Sequence, residues 1–143
     1  MVPADDGAVG VHHLLARLAY ATDEGSLDDY VACFTDDAEL IVDDPRIAVP
    51  GSEAVRGSEE IRAAAAQRRA GGSAGPGSHK RHIVNTIVVH VDGDSASSTA
   101  SWLLFRDADD VPGLLGVGQY RDRLRYDAHG WRIERRVITR DGS

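Results

Sequence analysis

The stretch HIVNTIVVHVDGDSASSTASWLLF, His82 to Phe105, decides how the chain is read. A run of apolar and β-branched residues ends at DGD, and a second strand-forming run starts at once from Ser95. Asp-Gly between two such runs is a strong hairpin signal, because glycine supplies the positive φ that a tight turn needs if it is to follow the twist of its strands. Onward from the hairpin, DADDVPG turns into LLGVGQYRDRLRY and DAHG turns into WRIERRVIT. The C-terminal half therefore reads as a meander of long strands.

Upstream of the hairpin the period changes. GGSAGPGS, 71 to 78, is a flexible loop by composition. Before it, EEIRAAAAQRRA follows Ser58 as cap, with acids first, arginines last and Gly71-Gly72 as the stop, all of which suit a helix and its dipole. Val9 to Thr22 places Val11, Leu14, Leu15, Leu18 and Ala19 on one helix face. Ser26 can cap a short second helix, LDDYVACF, whose first turn carries Asp28 and Asp29. TDDA then reads as a turn into a short strand, ELIVDD, and Pro45 to Gly57, with its prolines and glycines, reads as an irregular crossing. Helices first and a curled antiparallel sheet after them define an α+β domain. A single domain is expected over 1–143, with 1–8 disordered.

Composition narrows the partners. The formal charge of -7 and pI near 5.2 argue against nucleic acid and anionic membranes, which are bound through clustered cations. No apolar run approaches the roughly 20 residues that span a bilayer. MVPADDGAVG carries acids where a secretory signal would carry cations, and Cys33 is the lone cysteine, so a cytoplasmic location is expected.

Most polar constellations have a plain reading. His12 and His13 are adjacent and about 100° apart on a helix, and His79 and His82 lack a partner at a zinc spacing, so no metal is expected. Cys33 beside Phe34 reads as a small buried hydrophobe. The glycines of LLGVGQY fit sheet curvature better than a phosphate cradle. Arg121, Arg123 and Arg125 alternate against Gly118, Tyr120, Asp122 and Leu124, an outward ladder that acids such as Glu134 can pair with. His82 alternates with Val84, Thr86, Val88 and His90, while Ile83, Asn85, Ile87, Val89 and Val91 form the other face.

Taken together, YATDEGSLDDYVACFTDDAEL, PGSEAVRGSEEIRA, RHIVNTIVVHVDGDSAS and GQYRDRLRYDAHGWRIERRV, in this order, resemble the SnoaL-like branch of the nuclear-transport-factor-two-like superfamily. The resemblance covers almost the whole chain and implies a cone, a curved sheet around helices with one deep apolar pocket. It also implies members as diverse as dehydratases, steroid isomerases, polyketide cyclases, epoxide hydrolases and small subunits of ring-hydroxylating dioxygenases. Fold alone does not choose among these.

Carried over by position, the dehydratase pattern matches Asp23 as the acid after the first helix and His82 as the histidine that opens the long strand. Such a pair is an acid-base device, in which the carboxylate fixes one imidazole tautomer and the other ring nitrogen moves a proton. From the residues alone, a surface or capping acid is the plainer reading of Asp23 and a satisfied core histidine that of His82; the catalytic reading is what the resemblance implies. Tyr20, Trp102 and Tyr120 would shape and orient a substrate, and Asn85 lies at the same level on the strand. The chain departs from the dehydratases after the hairpin, where Thr99, Ser101 and Trp102 stand in place of a further histidine or acid.

The expected function is a cofactor-free lyase, isomerase or cyclase acting on a small apolar oxygenated molecule of polyketide, steroid or aromatic type. The alternative is a non-catalytic member that binds a ligand or pairs with a larger subunit. A third possibility is epoxide opening by Asp23 with Asp43 or Asp122 and a nearby arginine. Self-association through the outer sheet face, a dimer by preference, goes with any of them.

Overall fold

A computed structural model describes residues 7–44 and 54–142. The helices are α1 (Ala8–Asp23), α2 (Leu27–Val31) and α3 (Ser58–Ala70). The strands are β1 (Phe34–Asp43), β2 (Ala54–Arg56), β3 (Arg81–Asp92), β4 (Ser95–Arg106), β5 (Gly113–Asp127) and β6 (Gly130–Arg140). They form one six-stranded sheet in the order β2-β1-β6-β5-β4-β3. The sheet curls around α1, whose face of Val11, Leu14, Leu15, Leu18 and Ala21 is buried with Leu124 and Ile133 of the concave side. This is the α+β class that the sequence implies.

Several local readings change. The sheet is mixed, since β1 runs parallel to its neighbour β6. TDDA is no turn: β1 already begins at Phe34, and the residues after it form an irregularity before pairing resumes at Glu39. Part of the expected crossing from Pro45 to Gly57 lies outside the described residues, but Ala54–Arg56 is a strand paired antiparallel with β1. Ser58 is the first helical residue and not the cap; Gly57 holds the cap position at φ 83° and donates its N–H to the Ala38 carbonyl at 2.7 Å. Glycine is needed there because a side chain strongly disfavours that backbone region. Ser26, in contrast, does cap α2, in a reciprocal capping box with Asp29. Residues 1–6 lie outside the described residues, and Ala8 is already helical.

Two strands slip in phase. In β3 the pairing with β4 shifts between Asn85 and Val88, and Thr86 adopts φ 52°. An extra residue of this kind bends a strand and reverses which side chains face inward. Ile87 and Val89 therefore pack against the core, while Val88 is 55% exposed, the reverse of strict alternation from His82. In β6 the pairing with β5 shifts between Leu124, opposite Ile133, and Arg123, opposite Arg135. Trp131 and Ile133 face inward before the shift, and Arg136 is buried after it. No helix among the described residues is long and apolar enough to cross a membrane.

Candidate functional site

Asp23 closes α1, and its position is fixed from three sides. Gly25 lets the chain turn away, since a Cβ there would lie 2.8 Å from the Ala21 Cα. Arg69 of α3 donates from both terminal nitrogens to the carbonyls of Gly25 and Ala21 at 2.8 Å each, a cation on the negative end of α1. Gly75 rests on the stem of Arg69, where a Cβ would come within 2.8 Å of Cγ.

Held in this way, the carboxylate engages one residue twice. Its Oδ2 accepts the backbone N–H of His82 at 2.7 Å, and its Oδ1 lies 2.7 Å from His82 Nδ1. Arg81 stands 4.0 Å from Oδ2. An ionised carboxylate only accepts, so Nδ1 carries the shared hydrogen and Nε2 is left as the ring's remaining nitrogen. Among the described residues Nε2 has no hydrogen-bond partner.

His82 and Asp23 line a cavity of about 330 Å³. Its wall is largely apolar, with Leu18, Phe34, Leu40, Leu104 and Ile138, and its polar groups include Tyr30, Tyr120 and Arg136. A volume of this size suits a small molecule in a pocket with few polar contacts. Trp102 packs over Gly118 of β5 and donates Nε1–H to the Thr139 carbonyl at 3.2 Å. It can do so because Gly118 has no side chain: a Cβ would fall 2.4 Å from the indole and 2.0 Å from the Thr139 oxygen.

Charge is concentrated behind Tyr120. Arg136 donates two hydrogen bonds of 2.8 Å to Asp122, directly opposite on β5, and its guanidinium carbon sits 3.8 Å from the Tyr120 ring centroid. Burial works to lower the Arg136 pKa, but the charge and hydrogen bonds of Asp122 prevail and raise it. Burial likewise pushes the Tyr120 phenol up to about 12, against the opposing pull of Arg136. Tyr30 is raised as well, again by burial first. Both phenols are therefore hydrogen-bond donors at any physiological pH.

Of the residues expected from sequence, Asp23, His82, Trp102 and Tyr120 meet at this cavity. Tyr20 does not: it is 67% exposed on the outer side of α1, in a shallow groove with Arg17 and Cys33. Asn85 is exposed on the other face of β3, just before the phase shift, and is not part of the lining. Asp43 is exposed, whereas its neighbour Asp44 is buried and lines the cavity. The Cys33 thiol is buried and raised in pKa by that burial, in keeping with an inert hydrophobe. Sequence reasoning missed Tyr30 and Arg136. Tyr30 lies in a short helix, and Arg136 is turned inward only by the slip in β6. Ser73, Ala74 and Gly75 of the glycine-rich loop also line the cavity.

Comparison with known proteins agrees with this architecture. A family model described as a SnoaL-like domain matches residues 8–137, and the chain belongs to that family. Among solved structures, a protein of unknown function with a cystatin-like fold from Nostoc punctiforme is similar at a TM-score of 0.77 and 20% identity, with 94% of this chain and 91% of that one covered. A protein from Kribbella flavida gives 0.76 at 21% identity, covering 98% and 94%. A chain from Novosphingobium aromaticivorans, assigned as the β subunit of an aromatic-ring-hydroxylating dioxygenase, gives 0.71 at 20% identity, covering 94% and 89%. At these identities the likeness concerns the fold. No curated protein sequence matches the chain.

Proposed function

We propose that this protein is a cofactor-independent acid-base enzyme, a lyase, isomerase or cyclase, acting on a small apolar oxygenated molecule. The observation that carries the reading is the double grip of Asp23 on His82, Oδ2 on the backbone and Oδ1 on Nδ1, at the wall of an apolar cavity. In the reaction, Nε2 of His82 takes a proton from carbon next to a carbonyl. The C–H electron pair becomes an enolate, whose oxygen is stabilised by a phenol such as Tyr120. The imidazolium then returns the proton, either to another carbon in isomerisation or to a departing hydroxide in elimination. Asp23 stays ionised and stabilises the imidazolium, as the carboxylate of a catalytic triad does. Trp102 and Tyr120 orient the substrate. A positioned base of this kind contributes about 10²–10⁴-fold in rate.

The epoxide-opening alternative receives less support. Asp23 is engaged by His82, and both hydrogen bonds of Arg136 to a carboxylate go to Asp122. Pairing with a second copy of the chain has an observation of its own. Ile83, Leu103 and Val117 stand in register across β3, β4 and β5 on the outer face, with Ile83 43% and Val117 36% exposed.

The test is proton-deuteron exchange followed by NMR in heavy water, with apolar ketones and β,γ-unsaturated ketones as probes. Wild type is expected to speed exchange of the α-protons, and His82→Gln to lose about 10²–10⁴-fold of that acceleration. Equal rates for wild type and His82→Gln, with both folded, would overturn the reading.

A further inference from the structure

Charge in the cavity is layered. The carboxylates of the lining, Asp23 and Asp44, are buried, at 3% and 2% exposure. Of the lining's cations Arg136 is buried and paired with Asp122, whereas the other three lie farther out, Arg68 and Arg140 exposed and Lys80 half-buried. All three belong to the open end of the cone: Arg68 ends α3, Lys80 precedes β3 and Arg140 ends β6. Two of them are tethered together by the glycine-rich loop. Ser73 donates its N–H and its hydroxyl to the Arg68 carbonyl at 3.1 Å each, and Lys80 Nζ donates to the Ser73 carbonyl at 2.8 Å. Arg140 is placed opposite by a hydrogen bond to the Leu115 carbonyl. None of the three makes an ion pair with a carboxylate among the described residues. In a chain of net charge -7, three cations without carboxylate partners around one opening call for a role.

We infer that the molecule entering this cavity is amphipathic and carries a carboxylate, which stays at the mouth between Arg68, Lys80 and Arg140 while its apolar body lies inside against Leu18, Leu104 and Ile138. The inference rests on the cavity being a substrate site and adds the substrate's charge. Cations at the rim also draw an anion toward an otherwise acidic protein, because an opening lined by one sign of charge raises the local concentration of the opposite sign. The same layering orients the molecule. Its carboxylate is repelled by Asp23 and Asp44 and remains outside, so the uncharged carbonyl end is the one delivered to His82.

The test is calorimetric binding of matched pairs, the acid and methyl ester of phenyl-, naphthyl- and anthrylacetic acid, to the wild-type protein. In each pair that binds, the acid is expected to be about tenfold tighter, a difference of about 1.4 kcal/mol, and the advantage to shrink as salt is added. Arg68→Gln, Lys80→Gln and Arg140→Gln are each expected to weaken the acid about two- to fivefold and leave the ester unchanged. Esters binding as well as acids would overturn the inference. If the wild type still exchanges ketone α-protons in that case, the acid-base reading stands without it. If no member of any pair binds, the inference falls, and the ketone exchange test decides the acid-base reading by itself.

Discussion

Asp122 and Arg136 face each other across β5 and β6, joined by two hydrogen bonds of 2.8 Å, with both side chains almost wholly buried. Each needs the other, because neither charge can reach water. Asp122→Asn keeps the shape and removes one charge, leaving the Arg136 guanidinium uncompensated beneath Tyr120. Loss of one partner of a buried pair is expected to lower stability by about 3–5 kcal/mol. Urea unfolding of the variant checks this, and an unchanged midpoint would mean that water reaches the pair.

Tyr120 gives the protein an alkaline limit. Burial raises its phenol from 10.0 to about 12, so the folded protein keeps a proton that the unfolded chain gives up above 10. The stabilisation is fully present below pH 10 and is lost progressively as pH rises toward 12. A shift of this size corresponds to roughly 3 kcal/mol in all, and Tyr30 acts in the same direction. Urea unfolding across that window should show stability falling with pH, with a shallower fall in Tyr120→Phe.

Gly118 is where the tryptophan wall is most sensitive. Gly118→Ala would drive a methyl group into the Thr139 carbonyl and the Trp102 ring, both far inside contact distance. Overpacking typically costs about 1–3 kcal/mol, and here the backbone on one side cannot yield easily. The variant is expected to unfold at lower urea and to shift the indole emission of Trp102, with Trp131→Phe as background to isolate that signal.

How much of this was legible in the sequence depends on where the strands keep phase. The hairpin from His82 to Phe105, the cap at Ser26 and the set Tyr120, Asp122 and Leu124 on one face follow from local patterns, and β5 obeys strict alternation in that region. Family position singled out Asp23 and His82, and the fold brings them together although they are 59 residues apart. Arg136 was hidden because alternation counted from Trp131 and Ile133 would turn it outward, and the slip opposite Arg123 and Leu124 reverses that. Thr86 did the same in β3 with a positive φ that no sequence pattern announces for a β-branched residue. Tyr20 was misplaced for a simpler reason. It lies on the side of α1 away from Leu14, Leu15 and Leu18, so its ring meets solvent while Tyr30 of α2 reaches the cavity. The parallel pairing of β1 with β6 joins segments far apart in the chain, which local patterns do not register.

The central claim is that Asp23 fixes His82 with its hydrogen on Nδ1 and leaves Nε2 as the base, and long-range ¹H–¹⁵N NMR of the histidine ring reads this directly. On the neutral ring of the wild type the expected result is a protonated Nδ1 and a bare Nε2. In Asp23→Asn the amide can still accept the His82 backbone N–H while its own N–H₂ group donates to Nδ1, so the hydrogen should move to Nε2. A wild-type ring protonated at Nε2, or the same tautomer in both proteins, would contradict the claim.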